Sequence, residues 1–221
     1  MKVVILFSGG KDSVYATHLC LSWGWEVEWL TLHPQEDSMM FHHPNTRWCG
    51  LQAEAAGIQW HEIRAASHEN ELDDLEEALG RLKAAGKIEG IVSGAIASEY
   101  QKQRIEVIGE NVGLPTFAPL WHKKPDILRE MLEQMEVYLV SASAQGLDEK
   151  WLGRRLEPKD VDRFLAMRPA IHPFLEGGEG ETFVCDAPFF RKKIRIKKME
   201  KTFEGQSGRV NILEAVLKKK V

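Results

Sequence analysis

The first half of the chain alternates between two hydrophobic periods. Residues 3–7 form a continuous apolar run, which is typical of a strand buried on both faces. Residues 71–85 instead carry leucines at helical spacing along one stripe. Further strands are predicted at 26–32, 59–64 and 88–93, and further helices at 13–23, 46–56 and 98–113. This β-α-β-α order predicts a parallel sheet with helices on both faces.

After Pro119 the regular alternation stops. Helices are predicted at 125–135 and 158–167, and strands at 137–142, 182–186, 191–203 and 209–217. A turn at 204–208 predicts that the last two strands pair antiparallel. We therefore expect an α/β domain at residues 1–122 and a smaller α+β C-terminal domain at residues 123–221.

Composition narrows the class of protein. The chain has 29 Lys or Arg and 33 Asp or Glu, a net charge of −4, whereas proteins that bind mainly to nucleic-acid phosphates usually carry the opposite sign. No apolar run reaches the roughly 20 residues of a membrane span. Cys20, Cys49 and Cys185 form no CxxC pair, which suits a reducing compartment. We expect a cytoplasmic protein whose partners are neither membranes nor nucleic acids.

The hexapeptide at residues 8–13, SGGKDS, lies between the first predicted strand and the first predicted helix. Its glycines allow backbone N–H groups to approach an anion, and the helix N-terminus adds a positive dipole end. Lys11 adds a formal charge. Asp12 would repel phosphate, so we expect it to hold magnesium or a neighbouring backbone group. The pattern is neither GxxxxGK[ST] nor GxGxxG.

The hexapeptide resembles the PP-loop of the N-type ATP pyrophosphatases, and this resemblance implies a Rossmann-like fold of the adenine nucleotide alpha-hydrolase type. It also implies that ATP is split between its α and β phosphates and that a carboxyl substrate is activated as an adenylate. Gly94, in a turn after the fourth strand, resembles a further nucleotide contact of that family. The residues assigned to ATP are Ser8, Gly9, Gly10, Lys11, Asp12, Ser13 and Gly94, with Asp12 also assigned to Mg²⁺.

Three longer segments, at 38–45, 94–106 and 176–190, resemble the diphthine–ammonia ligase family. The resemblance covers nearly the whole chain. It implies that ATP and ammonium amidate diphthine, the modified histidine of translation elongation factor 2, with AMP and pyrophosphate as products. Ammonium is expected as the nitrogen source rather than glutamine, because Lys2 and not cysteine follows Met1. Whether the chain forms a homo-oligomer is left open.

Glu176, Glu179 and Glu181 lie close together in a glycine-rich segment. They are interpreted either as a solvated acidic loop or as a negative pocket for the trimethylammonium of diphthine. In the second interpretation, a ring face of Trp121 or Trp151 adds a cation–π contact.

Tyr100 and Arg104 are four residues apart and share a helix face. This face is interpreted either as an exposed polar surface or as a site where Arg104 binds a phosphate or carboxylate. Ser98 has the spacing of a helix cap, and His42 could orient the acyl group or ammonia. Catalytic roles are assigned to Lys11, Asp12, His42 and Arg104. Substrate-binding roles are assigned to Asn45, Ser98, Tyr100, Gln101, Arg104, Glu176, Glu179, Glu181 and Thr182.

Other readings remain open. A related enzyme could amidate another carboxylate or modify tRNA, and a protein of another class could bind ATP as a sensor without turnover. The basic segment at 191–198 is interpreted as a half-buried strand with a solvated face, or as a surface that docks an elongation factor or ribosomal complex. His172, like three other histidines, has no metal-ligand spacing.

Overall fold

A computed structural model describes residues 1–33, 45–65, 70–168 and 171–220 of the chain. In the first half, five strands form one parallel sheet with the order β3-β2-β1-β4-β5. These strands are β1 (Lys2–Leu6), β2 (Glu26–His33), β3 (Gln59–Arg64), β4 (Gly90–Val92) and β5 (Thr116–Phe117). The predicted parallel sheet is confirmed. The two-residue strand β5 was not predicted, because two half-buried residues have no measurable period.

Helices cover both faces of this sheet, as predicted. They are α1 (Lys11–Ser22), α2 (Cys49–Ala56), α3 (Glu71–Ala84) and α4 (Glu99–Val112). Alternate residues of β1 point to opposite faces. Val3 and Ile5 therefore cluster with buried residues of α1 and α2, whereas Val4 clusters with those of α3 and α4.

The strand order places a crevice at one end of the sheet. From β1 the chain proceeds to β2 and β3 on one side, and then returns to β4 on the other side. The loops that follow β1 and β4 therefore diverge at the carboxyl ends of two neighbouring strands. In open α/β sheets this switch point is where ligands bind.

The second half of the chain forms an antiparallel sheet with the order β7-β6-β9-β8. Its predicted helices and strands are all present, with ends shifted by at most two residues. They are α5 (Asp126–Gln134), β6 (Glu136–Ala142), α6 (Pro158–Ala166), β7 (Gly180–Asp186), β8 (Lys192–Glu204) and β9 (Ser207–Lys219).

One hydrophobic cluster joins the two sheets. It includes Val3 and Ile5 of β1 together with Val137 of β6 and Phe183 of β7, all buried. The division into domains at residues 122 and 123 stays a prediction, since packing is continuous across it. Within the described residues, no helix is both long and apolar enough to cross a membrane.

Candidate active site

The hexapeptide occupies the switch point between β1 and α1. Helix α1 begins at Lys11, and its N-cap, Gly10, is extended and has no side-chain cap. The first N–H groups of a helix have no partner within the helix, so this end suits an anion. Gly9 has a φ of 79°, which a residue with a Cβ rarely adopts. The local geometry is that of an anion-binding turn.

The two serines of the hexapeptide brace the turn. The Ser13 hydroxyl donates to the carbonyl oxygen of Gly10 over 3.1 Å and accepts from the backbone N–H of Ser8 over 3.3 Å. The Ser8 hydroxyl lies 3.3 Å from that of Ser13. Both hydroxyls therefore hold the curvature of the loop, and their assignment to phosphate stays a prediction.

Lys11 is anchored by the second half of the chain. Its side chain is only 3% exposed, and its Nζ donates to the carbonyl oxygen of Phe174 over 2.6 Å and to Oδ2 of Asp12 over 2.8 Å. Its backbone N–H donates to Oγ1 of Thr182 over 3.0 Å. Thr182, which was assigned to substrate, thus contacts the hexapeptide itself. The Phe174 carbonyl was not predicted, since no residue type marks a backbone acceptor.

Gln52 of α2 ties the hexapeptide to β7. It is fully buried, and its Nε2 donates to the carbonyl oxygens of Gly9 over 2.9 Å and Val184 over 2.8 Å. The N–H of Val184 also donates to Gly9 over 3.1 Å. Sequence reasoning missed Gln52. The available signal was weak, because Gln52 is one of two polar residues, with Glu54, in a short and mostly apolar helix.

Gly94 lies against the N-terminus of α1. A Cβ on Gly94 would come within 2.9 Å of the Ser13 nitrogen and 3.0 Å of the Asp12 carbonyl carbon. The loop after β4 therefore approaches the hexapeptide so closely that only glycine fits without a shift. The structure brings these two predicted nucleotide segments together.

A cavity of about 170 Å³ opens beside the hexapeptide. Its apolar wall includes Leu30 and Leu32 of β2, Leu75 of α3 and Ile105 of α4. Its polar part includes hexapeptide residues 8 and 10–13, and residues 174–178 and 180–182 also line it. An apolar pocket with a few convergent polar groups is the usual form of a small-molecule site.

The three glutamates of the glycine-rich segment have different positions. Glu176 and Glu181 line the cavity, whereas Glu179 lies outside its wall. Oε2 of Glu179 accepts from the backbone N–H of His172 over 2.6 Å. Glu179 thus holds the segment in shape, while the other two glutamates give the cavity its negative wall.

His172 lies near Lys11 and was passed over because its spacing suits no metal. Its Nδ1 is buried and has no hydrogen-bond partner among the described residues. Burial lowers the pKa of the His172 imidazole, and the positive charge of Lys11 lowers it further. The negative charges of Glu179 and Asp12 act in the opposite direction. Burial prevails, so the pKa of the ring lies below its usual value.

Of the residues assigned on or next to α4, some line the cavity and others do not. Gln101 lines the cavity, and its backbone N–H donates to Oγ of Ser98 over 3.3 Å, which confirms Ser98 as the helix cap. The Arg104 guanidinium lies 3.8 Å from the centre of the Tyr100 ring, and neither residue is part of the cavity wall. Their binding roles stay predictions.

The two tryptophans considered for cation binding already face cations of this chain. Lys102 Nζ lies 5.2 Å from the Trp121 ring centre, and the Arg154 guanidinium lies 4.4 Å from that of Trp151. Neither ring lines the cavity. The role of either ring in binding a cationic substrate stays a prediction.

Asn45 faces the second sheet. Its Nδ2 donates to the carbonyl oxygen of Val210, and its Oδ1 accepts from the N–H of Ile212, both over 2.8 Å. Both ends of the amide therefore bond to β9, and the assignment of Asn45 to substrate stays a prediction. His42 lies outside the described residues.

The donor chemistry of the site fits magnesium rather than a metal held by protein alone. No group of three or more His, Cys, Asp or Glu side chains that could hold a metal occurs in the described part of the chain. Mg²⁺ usually keeps several waters and binds one or two carboxylates plus substrate phosphates. Asp12, on the first turn of α1, is the carboxylate assigned to Mg²⁺, and that assignment stays a prediction.

Solved structures resemble this chain distantly. A predicted subunit of tRNA methyltransferase from Methanocaldococcus jannaschii has a TM-score of 0.43 and 15% identity over 67% of this chain and 81% of its own. The U34-tRNA thiolase NcsA from Methanococcus maripaludis has a TM-score of 0.39 and 15% identity over 60% and 57%. Neither value is high enough to bear on function.

Curated relatives resemble it more closely. The diphthine–ammonia ligase of Rattus norvegicus is 35% identical over 90% of this chain and 84% of its own, and that of Homo sapiens is 34% identical over the same shares. The diphthine–ammonia ligase of Schizosaccharomyces pombe is 33% identical over 97% of this chain but only 39% of its own. The family model of the diphthamide synthase N-terminal domain matches residues 1–116, and that of the C-terminal domain matches residues 123–218. The chain is therefore a member of the diphthamide synthase family.

Proposed function

We propose that this protein amidates diphthine on translation elongation factor 2, using ATP and ammonium and releasing AMP and pyrophosphate. The observation that carries this proposal is the position of Lys11. The start of α1 and the loop with Gly94 lie at one cavity. The segment that contains Glu176 and Glu181 lines the same cavity, and the Phe174 carbonyl oxygen just before it accepts a hydrogen bond from Lys11. Phosphate chemistry and cation recognition therefore share one site.

The hexapeptide and Lys11 bind the β and γ phosphates of ATP in this proposal. Positive charge at the helix N-terminus stabilises the pyrophosphate as its charge grows. Asp12 would hold Mg²⁺, which neutralises phosphate charge when bound. Lys11 then exchanges its contact with Asp12 for a phosphate oxygen.

Glu176 and Glu181 orient the second substrate. Their carboxylates attract the trimethylammonium of diphthine, so that the diphthine carboxylate is held towards the α-phosphorus. An oxygen of that carboxylate attacks phosphorus, the bond to the β-phosphate oxygen breaks, and pyrophosphate leaves. Ammonium loses a proton, and the resulting ammonia attacks the acyl carbon. The nitrogen then loses a second proton, and AMP leaves with the electron pair of the bond that breaks. The apolar wall of the cavity limits water, which would otherwise hydrolyse the adenylate.

The test is direct assay of products. The protein is mixed with ATP, Mg²⁺, ammonium chloride and elongation factor 2 that bears diphthine. The modified histidine should lose about 1 Da as hydroxyl is replaced by amine, with equal AMP and pyrophosphate. Lys11→Met should abolish all three signals, and Lys87→Met, at an exposed position, is the matched control. ADP as the nucleotide product, or release of AMP that does not depend on the substrate protein, would refute the proposal.

A further inference from the structure

The last two strands concentrate positive charge. Strands β8 and β9 and their turn, residues 192–219, are called the basic ribbon. They contain nine Lys or Arg and three Glu, a net charge of +6, whereas the whole chain carries −4. The strands are 13 residues each, and most residues from 197 to 209 are exposed on both strands.

The register of the basic ribbon opposes like charges. Lys192 pairs with Lys219, and Lys193 pairs with Lys218. Like charges directly opposite each other destabilise a sheet. Lys192 and Lys193 have carboxylate partners, Glu54 and Glu136. Their cross-strand neighbours on β9, Lys219 and Lys218, form no ion pair with a carboxylate in the described part of the chain.

Further along, the cations of the basic ribbon also lack partners. Among the described residues, no carboxylate forms an ion pair with Arg195, Lys197, Lys198 or Arg209, all of which are exposed. Lysines on an edge strand often protect it from pairing with other chains. Edge protection can explain the lysines of β8, which is an edge strand. It does not explain Arg209, because β9 lies between β6 and β8. The charge therefore exceeds what edge protection requires.

The basic ribbon is attached to the wall of the candidate active site. Asn45 bonds to the backbone of Val210 and Ile212, and Trp48 Nε1 donates to the Ile212 carbonyl oxygen over 3.0 Å. Thr46, which lies between Asn45 and Trp48, lines the cavity. A macromolecule whose side chain enters the cavity therefore meets the basic ribbon beside it.

We propose that the basic ribbon docks the protein substrate through an acidic surface next to the modified side chain. The inference rests on the proposed function, since it assumes a protein substrate. Single-stranded nucleic acid fits the ribbon less well. Single-stranded recognition uses exposed aromatic side chains, and the single aromatic residue of this segment, Phe203, packs near Leu152 and Gly208.

The test compares two triple variants that remove the same charge. Arg195→Gln/Lys197→Gln/Lys198→Gln alters the basic ribbon, and Lys87→Gln/Lys123→Gln/Lys124→Gln alters exposed lysines elsewhere. For elongation factor 2, the ribbon variant should raise KM about tenfold with kcat unchanged, and should lose most of the salt dependence of KM. For a short diphthine peptide without acidic residues, both variants should match the wild type.

Equal KM values for the two variants with the whole protein would overturn the docking proposal, as would an equal rise with the short peptide. Loss of duplex RNA binding in the ribbon variant, with KM for the protein unchanged, would also overturn it. Direct binding separates this proposal from the proposed function. Calorimetric titration of elongation factor 2 at low salt should show weaker binding for the ribbon variant only, even if no amidation occurs.

Discussion

Gln52 of α2 donates from one amide nitrogen to the carbonyl oxygens of both Gly9 and Val184. The contact joins the hexapeptide turn to the central part of β7, 132 residues along the chain from Gln52. Two backbone segments from opposite halves of the protein are thus held by one buried side chain. The position of the turn depends on the second sheet as well as on its own strand and helix.

Gln52→Met should loosen this arrangement. Methionine fills a similar volume but donates no hydrogen bond, so we expect a loss of about 1–3 kcal/mol in the free energy of unfolding. The affinity for ATP should fall about tenfold, because the turn is no longer held in its binding conformation. Calorimetric titration and urea unfolding measure the two effects. Gln59→Met, on an exposed position of β3, should change neither. Equal behaviour of the two variants would contradict the role of Gln52.

Gly94→Ala should weaken ATP binding without an intrinsic backbone penalty. Its Cβ would meet the Ser13 nitrogen at 2.9 Å, so the loop after β4 must move away from α1. We expect the KM for ATP to rise about tenfold or more, on the scale of a 1 Å displacement in a site. Gly80→Ala is the matched control. No atom lies within 4 Å of its added Cβ, and in α3 it should stabilise the protein by about 0.5–1 kcal/mol. An unchanged KM for ATP in Gly94→Ala would contradict this prediction, since the loop would then accommodate a Cβ without moving.

Substitutions of the three glutamates in the glycine-rich segment should have two different kinds of effect. Glu176→Gln and Glu181→Gln remove charge from the cavity wall, so each should raise the KM for the diphthine-bearing protein several-fold more than the KM for ATP. Glu179→Gln weakens the acceptor of the His172 N–H, so it should lower the melting temperature and affect both KM values. Steady-state kinetics with each substrate varied, together with thermal unfolding, distinguish the classes. The same pattern in all three variants would contradict this division.

A buried carboxylate outside the cavity wall sets an acid limit on stability. Burial alone would raise the pKa of Glu28, but hydrogen bonds from Lys2 and His61 outweigh it, so the pKa lies below 4.5. The favourable contribution of the ionised group is therefore complete above pH 4.5 and is lost as the pH falls through the lowered, folded-state pKa.

Glu28→Gln should reduce the free energy of unfolding by about 1–3 kcal/mol at pH 7. The difference in the free energy of unfolding between this variant and the wild type should become smaller below pH 4.5. Activity at pH 7 should be retained. Urea unfolding between pH 7 and pH 3 measures this. Glu77→Gln, in an exposed pair with Arg81, should cost no more than about 0.5 kcal/mol at any pH. A difference that stays constant on acidification would contradict the lowered pKa of Glu28.

Much of the fold could be predicted because its signals are local. The apolar run of β1 and the leucine stripe of α3 are patterns that burial imposes on consecutive residues. Both elements begin and end within three residues of the predicted positions. The cap by Ser98 was visible for the same reason, since a capping contact spans only three residues. Strand β5 was missed because two residues have no period.

The sequence by itself determined the family, the parallel sheet and the place of the hexapeptide between strand and helix, because each depends on residues close together in the chain. Only the tertiary structure decided which groups complete the site. Gln52 and the Phe174 carbonyl reach the hexapeptide across 40 or more residues, and their residue types carry no periodic signal. The structure likewise separated Glu179 from the cavity and turned Asn45 towards β9. Such roles depend on which atoms meet in space, and packing between two sheets determines that.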